Sequence, residues 1–388
     1  MRIAYLLADP GIGVFGTKGA SVHVQEVIRA LRRLGHSVTV YAVRSDDTVP
    51  ADLADLPVVE LPVARTADTA ARERAIAAAA DSLARAVTVA GADLVYERYS
   101  LFSTAGSRAA AALGVPFVLE VNAPLIDEQA RYRELHDRAG ALVATVAQLE
   151  VARVATCVSV GVADWVLQQC PGARTLVVPN GVDAHRITPA APTAGGPAAD
   201  KRTFTVGFVG ALKPWHGTHL LLEAFARAVT AEAALPGGPR VDWRLDICGK
   251  GPELESLRAL ATDLGIGGRT LFRGAVAPAQ VPEILHGFDV ATAPYPAAGD
   301  HYFSPLKVYE YLAAGLPTVA SRIGEIPGLL GSDVGVLVPP GDVAELAAAL
   351  VSLAHDPVRR AALGAAARDA AVNRHSWDRR CGAWLELV

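Results

Sequence analysis

The stretch from residue 301 to residue 324 places a basic and an acidic side chain at the start of a predicted helix. Ser304 and Pro305 are typical of a helix N-terminus, because serine caps free backbone N–H groups and proline needs no N–H partner there. Lys307 follows in the first turn, and Glu310 comes one turn later. Helix starts bind anions, and a carboxylate accepts hydrogen bonds from hydroxyl groups. The pattern therefore predicts a site for a phosphate joined to a sugar, as in a nucleotide sugar.

Three glycine-containing loops follow predicted strands and strengthen this interpretation. They read GTKGAS at 16–21, GALKPWHG at 210–217 and GKGPE at 249–253. Glycine lets the backbone approach a phosphate closely, although ordinary turns need glycine as well. None of the loops matches the phosphate loop of ATPases or the full dinucleotide fingerprint, which argues against kinases and dehydrogenases.

Basic side chains near these loops are candidates for stabilising a diphosphate leaving group. They are Lys18, Lys213, His216, Lys250, Arg273 and Lys307. Lys307 and Lys213 rank first because each stands beside a helix start, and solvated lysines remain the alternative. His216 either contacts phosphate or caps its helix, whereas a structural role fits His23 better. The sequence lacks the His and carboxylate spacing of a zinc site, so we predict neither a metal nor a cofactor.

Polar residues also follow two predicted strands of the first half. Glu97 and Arg98 end one strand, and Glu120 and Asn122 end the next. Open α/β sheets bind ligands at the carboxyl ends of their strands, so these residues are candidates for a second part of the site. Solvated loop residues are the alternative for each.

Strand-like and helix-like segments alternate along the chain, which predicts α/β architecture with mainly parallel sheets. Residues 186–202 break the pattern and read as a linker rich in Pro, Ala and Gly. We therefore predict an N-terminal Rossmann-like domain at 1–185, a C-terminal one at 203–370, and a final helix at 371–388.

Composition limits the possible functions of the 388-residue chain. A formal net charge of −4 argues against a general nucleic-acid binder. Four scattered cysteines fit a reducing compartment, and the N-terminus reads as a strand and lacks the pattern of a signal peptide. No apolar run approaches the length of a membrane span. We expect a cytoplasmic enzyme without a transmembrane segment.

Several blocks of sequence resemble the retaining glycosyltransferases of family four, which have the GT-B fold. They are GTKGASVHVQEVIRALRRLGHSVTV, VVPNGVD, GFVGALKPWHGTHLLLEAF, CGKGPELESLRAL, SPLKVYEYLAAGLPTVAS and GVLVPPGDVAELAAAL. The resemblance implies two Rossmann-like domains whose parallel sheets face an interdomain cleft, with the donor on the second domain and the acceptor on the first. It also implies retention at the anomeric carbon, no required metal, and a last helix that packs back on the first domain.

The resemblance assigns roles to individual residues. Departure of the diphosphate would depend on Lys307, Lys213, His216 and Glu310, of which Glu310 also holds the ribose hydroxyls. The implied donor-binding positions are Gly19, Ala20, Gly210, Gly249, Lys250, Arg273, Tyr302, Phe303, Ser304, Pro305, Leu306 and Glu310. The positions implied to orient the acceptor or the sugar are Glu97, Arg98, Glu120, Asn122, Glu128, Asp300 and His301.

Four positions depart from the family pattern. Tyr302 stands eight positions before Glu310, where the family usually has a second glutamate. The donor loop commonly carries an arginine and a lysine, which are Ala211 and His216 here, with Lys213 as a possible substitute. Asn122 replaces a common histidine. These departures concern donor type and sugar contacts more than the phosphate site.

The predicted function is transfer of a sugar from a nucleoside diphosphate sugar, with UDP or GDP favoured, to a small polar acceptor such as a natural-product or sugar-like alcohol. A lipid-linked or polysaccharide acceptor at the membrane surface is the first alternative. A nucleotide-sugar epimerase or hydrolase of the same fold, or a non-catalytic nucleotide-sugar binder, are the others. The sequence predicts no nucleic-acid partner and leaves the oligomeric state open.

Overall fold

The computed structural model describes residues 1–46, 48–64, 66–191, 203–234, 236, 241–299 and 301–388. The described chain divides into two units. Unit 1 comprises Met1–Asn180, Tyr302–Ser304 and Trp377–Val388. Unit 2 comprises Gly181–His301 and Pro305–Ser376. The fold is therefore built from two α/β units, and each is described separately below.

Unit 1 is organised on a parallel sheet. Its strands, within the described residues, are β1 (Arg2–Leu7), β2 (Ser37–Ala42), β3 (Val58–Glu60), β4 (Leu94–Arg98), β5 (Phe117–Val121), β6 (Val154–Cys157) and β7 (Thr175–Val177). They lie in the order β3-β2-β1-β4-β5-β6-β7, and every neighbouring pair is parallel. The order reverses direction at β1 and β4, where doubly wound sheets place ligand sites.

Helices cover the sheet of unit 1. They are α1 (Gly19–Arg33), α2 (Thr69–Ala90), α3 (Ala105–Leu113), α4 (Leu125–Tyr132), α5 (Arg138–Val151) and α6 (Val160–Gln169). Helices α2, α5 and α6 begin where Asp68, Asp137 and Ser159 accept a backbone N–H bond from the first turn. Alanines on α2 let the helix pack closely, and Ala80, Leu83 and Val87 lie in the core.

Unit 2 repeats the architecture with a shorter sheet. In the described part of the chain its strands are β8 (Thr203–Val209), β9 (Asp242–Cys248), β10 (Thr270–Gly274), β11 (Val290–Ala293), β12 (Thr318–Ser321) and β13 (Val336–Val338). They lie in the order β10-β9-β8-β11-β12-β13, again with parallel pairs. Fully buried β-strand side chains such as Val206, Phe208 and Ile247 explain the continuous apolar runs in the sequence.

The helices of unit 2 are α7 (Thr218–Ala233), α8 (Leu254–Asp263), α9 (Val281–Leu285), α10 (Leu306–Ala313), α11 (Ile326–Leu330), α12 (Val343–His355) and α13 (Pro357–Arg374). Short 3₁₀ turns occur at Ala51–Leu53, Pro214–His216, Gly267–Arg269 and Pro278–Gln280. The chain ends in helix α14 (Trp377–Leu385), which belongs to unit 1 and buries Trp377, Cys381 and Trp384.

The predicted fold class is confirmed, because both units have parallel sheets covered by helices. Element boundaries differ by a few residues: the helix predicted from Val22 begins at Gly19, and the third predicted strand is only Val58–Glu60. The predicted borders were 185 and 371, whereas the chain passes to unit 2 after Asn180, returns to unit 1 for Tyr302–Ser304, and returns again at Trp377. Most of the predicted linker, 192–202, lies outside the described residues.

Helix α2 provides a test of core packing in unit 1. Leu83 is fully buried, so Leu83→Ala should lower the free energy of unfolding by about 2–5 kcal/mol through lost contacts and a cavity. Val89 on the same helix is 89% exposed, so Val89→Ala should change stability by less than about 0.5 kcal/mol. Urea denaturation of both variants measures the difference, and equal costs would contradict this packing.

Candidate functional site

Lys307 occupies the most unusual environment in unit 2. Its side chain is buried in the first turn of α10. The Nζ atom lies 4.2 Å from the centroid of the Phe208 ring and 5.3 Å from that of Tyr295. It has no hydrogen-bond partner among the described residues. Cation–π attraction compensates only part of the lost hydration of an ammonium group.

The surroundings of Lys307 disfavour its charged form. Burial lowers the pKa of Lys307 to about 7, although the nearby charge of Glu310 acts in the opposite direction. An incoming anion would supply the missing partner and stabilise the ammonium form. The geometry of Lys307 therefore favours an anion as the ligand.

The loop after β8 brings a second lysine and a histidine to the same unit. Lys213 Nζ lies 4.7 Å from the centroid of the Trp215 ring, and that ring is about half exposed. His216 Nδ1 donates a hydrogen bond of 2.5 Å to the Ala211 carbonyl. Burial, followed by the charges of Lys307 and Lys213, lowers the pKa of His216 to about 3. His216 is thus neutral with Nε2 unprotonated, and it can donate to a phosphate only after taking up a proton.

The glycines of the loops after β8 and β9 are needed for backbone packing. A Cβ on Gly249, whose φ is +150°, would lie 1.8 Å from the Gly210 carbonyl oxygen. The two loops also exchange backbone hydrogen bonds, from Gly210 N to Cys248 O at 2.9 Å and from Leu212 N to Lys250 O at 3.0 Å. A Cβ on Gly210 would lie 2.8 Å from Lys307 Nζ. The sequence predicted that glycine admits a phosphate, whereas the structure shows that it admits the neighbouring loop and the lysine.

The start of α10 differs from the prediction. The helix begins at Leu306, and Pro305 precedes it in an extended conformation with φ −80° and ψ 100°. The N-cap position of α10 is Pro305, whereas the sequence predicted Ser304 there. The Ser304 hydroxyl accepts the backbone N–H of Asn180 at 3.1 Å.

Arg273 is engaged elsewhere in unit 2. Its Nε lies 2.8 Å from Asp246 Oδ1, and its Nη2 lies 2.6 Å from Oδ2. The hydrogen bond to Asp246 also raises the pKa of Arg273. This bidentate pair explains Arg273 as a structural partner of Asp246, and a diphosphate contact would compete with it. Lys250 is exposed, and Glu310 is partly buried.

Glu97, a predicted substrate contact of unit 1, lies in the core. Its carboxylate accepts hydrogen bonds from the Ser103 hydroxyl and from the Gly106 backbone N–H, the latter at 2.7 Å. Burial raises the pKa of Glu97 to about 7, although these hydrogen bonds oppose the shift. Glu97 therefore stabilises the first turn of α3.

Glu120 and Arg98 form part of a buried polar cluster. Glu120 accepts hydrogen bonds from His23 Nε2 at 2.6 Å, from the Tyr96 hydroxyl at 2.6 Å and from Arg98 Nη1 at 3.1 Å. Burial raises the pKa of Glu120, but the charge and hydrogen bond of His23, together with Arg98 and Tyr96, outweigh it and lower the pKa to about 2. Each oxygen of Glu120 thus accepts at least one hydrogen bond within unit 1, and the predicted roles of Glu120 and Arg98 in orienting a substrate stay predictions. Asn122 Nδ2, in contrast, is buried without a partner among the described residues.

Tyr302 belongs to unit 1. The resemblance implied that this residue contacts the donor, which it places on the second domain. The Tyr302 hydroxyl donates a hydrogen bond to Glu128, and its ring packs against the core of unit 1. Burial raises the pKa of Glu128. The adjacent Phe303 belongs to unit 1 as well, whereas His301 belongs to unit 2. Asp300 lies outside the described residues.

The structure thus brings some of the predicted residues together and leaves others apart. Lys307, Lys213, His216 and Gly210 lie together in unit 2. Gly19 and Ala20 begin α1 in unit 1, and no described side chain caps that helix. The residues that sequence reasoning missed are Phe208, Tyr295, Trp215 and Asn180. Phe208 lies near the end of β8 and Tyr295 just after β11, and strand-end position is the signal that could have found them.

Two general properties were also determined for the described part of the chain. It contains no group of three or more His, Cys, Asp or Glu side chains arranged to hold a metal ion. None of its helices has the length and apolarity required to cross a bilayer.

Comparison with known families matches both halves of the chain. The family described as Glycosyltransferase Family 4 matches residues 17–186. The family described as Glycosyl transferases group 1 matches residues 203–356.

Similar curated proteins act on inositol derivatives according to their names. A D-inositol 3-phosphate glycosyltransferase of Geodermatophilus obscurus is 30% identical over 402 residues, which cover 96% of this chain and 84% of that protein. A phosphatidyl-myo-inositol mannosyltransferase of Mycobacterium leprae is 36% identical over 211 residues, which cover 53% of this chain and 51% of that protein. A GDP-mannose-dependent monoacylated alpha-(1-6)-phosphatidylinositol monomannoside mannosyltransferase of Corynebacterium glutamicum is 30% identical and matches over 52% of each chain. The chain thus spans about half the length of several relatives that it matches.

Solved structures share the fold over the whole chain. Anabaena Alr3699/HepE in complex with UDP and glucose has a TM-score of 0.71 at 20% identity, covering 100% of this chain and 98% of that one. WaaG, a glycosyltransferase involved in lipopolysaccharide biosynthesis, has a TM-score of 0.68 at 16% identity, covering 100% and 99%. At these identities the likeness concerns the fold alone.

The packing of the two glycine loops can be tested by adding one methyl group. Gly249→Ala should lower the free energy of unfolding by more than about 2 kcal/mol, because a strained φ and a backbone clash both oppose it. Gly265→Ala is the control, since its φ is +69° but no atom lies within 4 Å of the added Cβ. Thermal melting of both variants separates the clash from the φ cost, and equal shifts in melting temperature would contradict the loop packing.

Proposed function

Because the chain belongs to glycosyltransferase family 4, we propose that it transfers a sugar from a nucleoside diphosphate sugar to a small polar acceptor, and that unit 2 binds the donor. The observation that carries this proposal is Lys307, a buried ammonium group at the start of helix α10 that has no hydrogen-bond acceptor among the described residues. Both features are complementary to a diphosphate.

The proposed reaction uses the groups of unit 2 to stabilise the leaving group. Backbone N–H groups at the start of α10, the Lys307 ammonium and Lys213 bind the diphosphate, and Glu310 accepts hydrogen bonds from the ribose hydroxyls. The acceptor oxygen forms a bond to the anomeric carbon while the bond from that carbon to the phosphate oxygen breaks on the same face. The acceptor proton passes to a phosphate oxygen of the leaving group. The step needs neither an enzymic nucleophile nor a metal, and it retains the anomeric configuration.

The arginines on α1 are relevant to the chemical class of the acceptor. These arginines face aspartates: Arg29 pairs with Asp52 at 2.6 Å, Arg32 with Asp55 at 2.5 Å and Arg33 with Asp378 at 2.7 Å. Anionic membranes attract clusters of basic residues whose charge is available. The pairing neutralises this surface and supports a small polar acceptor over a lipid.

The acceptor class can be narrowed further by the named relatives. Their names specify D-inositol 3-phosphate in one group and phosphatidylinositol mannosides in another. We propose a polyol or polyol phosphate, and the lipid-linked form is the second candidate because of those names. Incubation with each acceptor class and a donor decides between them, while turnover of donor alone would favour an epimerase or hydrolase.

The nucleotide can be identified by ligand-induced stabilisation. UDP, GDP, TDP and ADP sugars are added separately, and the true donor should raise the melting temperature most, because a ligand that binds only the folded state stabilises it. We expect a UDP or GDP sugar to give the largest shift. The absence of a shift with all four would contradict donor binding.

Replacing Lys307 tests the phosphate role. Lys307→Met should lower kcat/KM for the donor by about 10²–10³-fold, the usual effect of losing one group that stabilises transition-state charge. The same variant should melt at the same temperature as the wild type or higher without ligand, because it removes a buried ammonium that lacks a partner. Full activity with reduced stability would contradict the proposal.

The lowered pKa of Lys307 predicts pH-dependent donor binding. Above pH 7 the free site loses the Lys307 proton, and binding a diphosphate requires proton uptake, so donor affinity should fall with pH by up to about tenfold per unit. UDP-glucose and GDP-mannose are suitable probes, because their diphosphates do not titrate in this range. Calorimetry in two buffers of different ionisation enthalpy measures the uptake at pH 8.

The control for this titration is Lys307→Met, in which the uptake should disappear. His216 is the other group that an anion can protonate. Because the pKa of His216 is about 3, His216 takes up a proton only at a pH below the range of the Lys307 titration, unless the ligand raises the pKa of His216 strongly. Uptake that persists in Lys307→Met would assign the proton to His216.

A further inference from the structure

His23 contacts Asn180, the residue after which the chain passes from unit 1 to unit 2. It is buried on the inner face of α1, and its ring lies 4.7 Å from the ring of Trp377. Its Nδ1 lies 2.9 Å from Asn180 Oδ1. Asn180, Ser304 and Trp377 each stand at a border between the two units along the chain. Asn180 contacts Ser304, so His23 is connected to all three borders.

Hydrogen-bond directions determine the protonation of His23. Asn180 Nδ2 donates to the Ser304 carbonyl at 2.7 Å, and a carbonyl can only accept. The amide orientation is therefore fixed, and Asn180 Oδ1 faces His23 Nδ1, which must carry a proton. On the other side, His23 Nε2 lies 2.6 Å from the carboxylate of Glu120, which also can only accept. Both ring nitrogens donate, and His23 is an imidazolium ion.

The groups packed around His23 are consistent with this charge. Glu120 on β5 supplies the negative charge, and it also accepts from Tyr96 and Arg98 of β4. From the C-terminal segment, Arg380 donates to the Asn180 carbonyl at 3.3 Å, and the Cys381 thiol is buried nearby with its pKa raised by burial. The short His23–Glu120 contact is the pairing that keeps the imidazolium stable beside the two arginines.

We propose that the His23 imidazolium is a positioning residue for the donor site. By donating to Asn180 it fixes the amide that holds the Ser304 carbonyl, and Ser304 is joined through Pro305 to the first turn of α10. His23 thus holds the peptide that leads into the helix carrying Lys307. This inference rests on the proposed function of that helix as the diphosphate site.

Loss of the proton on His23 Nδ1 would reverse the direction of the hydrogen bond between His23 and Asn180. With Nδ1 unprotonated, a lone pair would face the lone pairs of Asn180 Oδ1, and the amide would have to rotate to donate to the ring. Its Nδ2 would then leave the Ser304 carbonyl without a donor. The backbone bond from Asn180 N to Ser304 Oγ, at 3.1 Å, would remain, so the segment would loosen without detaching.

The decisive variant is Asn180→Asp, which keeps the shape of the side chain. A carboxylate still accepts from the His23 imidazolium, but it cannot donate to Ser304 and repels that carbonyl. We expect kcat/KM for the donor to fall about 10- to 100-fold, since misplacement of a binding group by a fraction of an ångström has effects of this size. KM for the acceptor should remain within about threefold of the wild type.

Tyr96→Phe is the matched control. It removes a different donor to the same Glu120 carboxylate and leaves the His23–Asn180–Ser304 chain intact. It should lower stability, yet keep kcat/KM for the donor within about threefold. If both variants lose activity in proportion to their loss of stability, the cluster is structural only and the proposal fails. Unchanged donor kinetics in Asn180→Asp would also overturn it.

A readout independent of activity tests the protonation. Nitrogen-15 spectra of the histidine rings, assigned with His23→Gln and recorded under the conditions of the activity assay, should show a proton on both His23 nitrogens. A ring with one unprotonated nitrogen would overturn the inference even if the enzyme is active. Wild-type protein that gives no donor-dependent turnover would instead refute the proposed function, while the spectra would still report on His23.

Discussion

The proposed donor site depends on an ammonium group that is buried without a hydrogen-bond acceptor among the residues the structure describes. Lys307 lies against the rings of Phe208 and Tyr295, and its surroundings lower the pKa to about 7. A buried charge of this kind costs stability in the free protein, and an anion that pairs with it recovers that cost. In the proposed function the site is thus arranged for a diphosphate before the diphosphate arrives, which is the kind of preorganisation that stabilises a departing charge.

The glycine loops of unit 2 make this burial possible. Any side chain at Gly249 would meet the Gly210 carbonyl, and any side chain at Gly210 would meet Lys307 Nζ. Close backbone packing thus holds the loop after β8 against the lysine, and the same loop carries Lys213 and His216. In one short stretch of sequence, residues that contact the ligand in the proposed function stand beside residues that only permit this contact.

Unit 1 contains the opposite arrangement, in which a buried charge is fully paired. The Glu120 carboxylate receives three hydrogen bonds, and His23 extends this cluster to Asn180 and Ser304. Few donors and acceptors of such a cluster remain for a substrate. The cluster instead fixes the direction of each hydrogen bond from Glu120 through His23 and Asn180 to Ser304. Unpaired charge in unit 2 and paired charge in unit 1 therefore suit different tasks: the first binds, and the second positions.

The sequence by itself determined the α/β class, the two repeated halves and the family, because periodicity, glycine loops and helix starts are local signals. The role of Lys307 at a phosphate stays a prediction from the same signals. The sequence could not determine that Ser304 bonds to Asn180, that Glu120 accepts three hydrogen bonds, or that Tyr302 lies in unit 1 with Glu128. Each of these depends on partners distant in the chain, such as His23, which lies 97 residues from Glu120 and 157 from Asn180. Residue types show what a side chain can do, whereas only tertiary packing decides which donors and acceptors are already used.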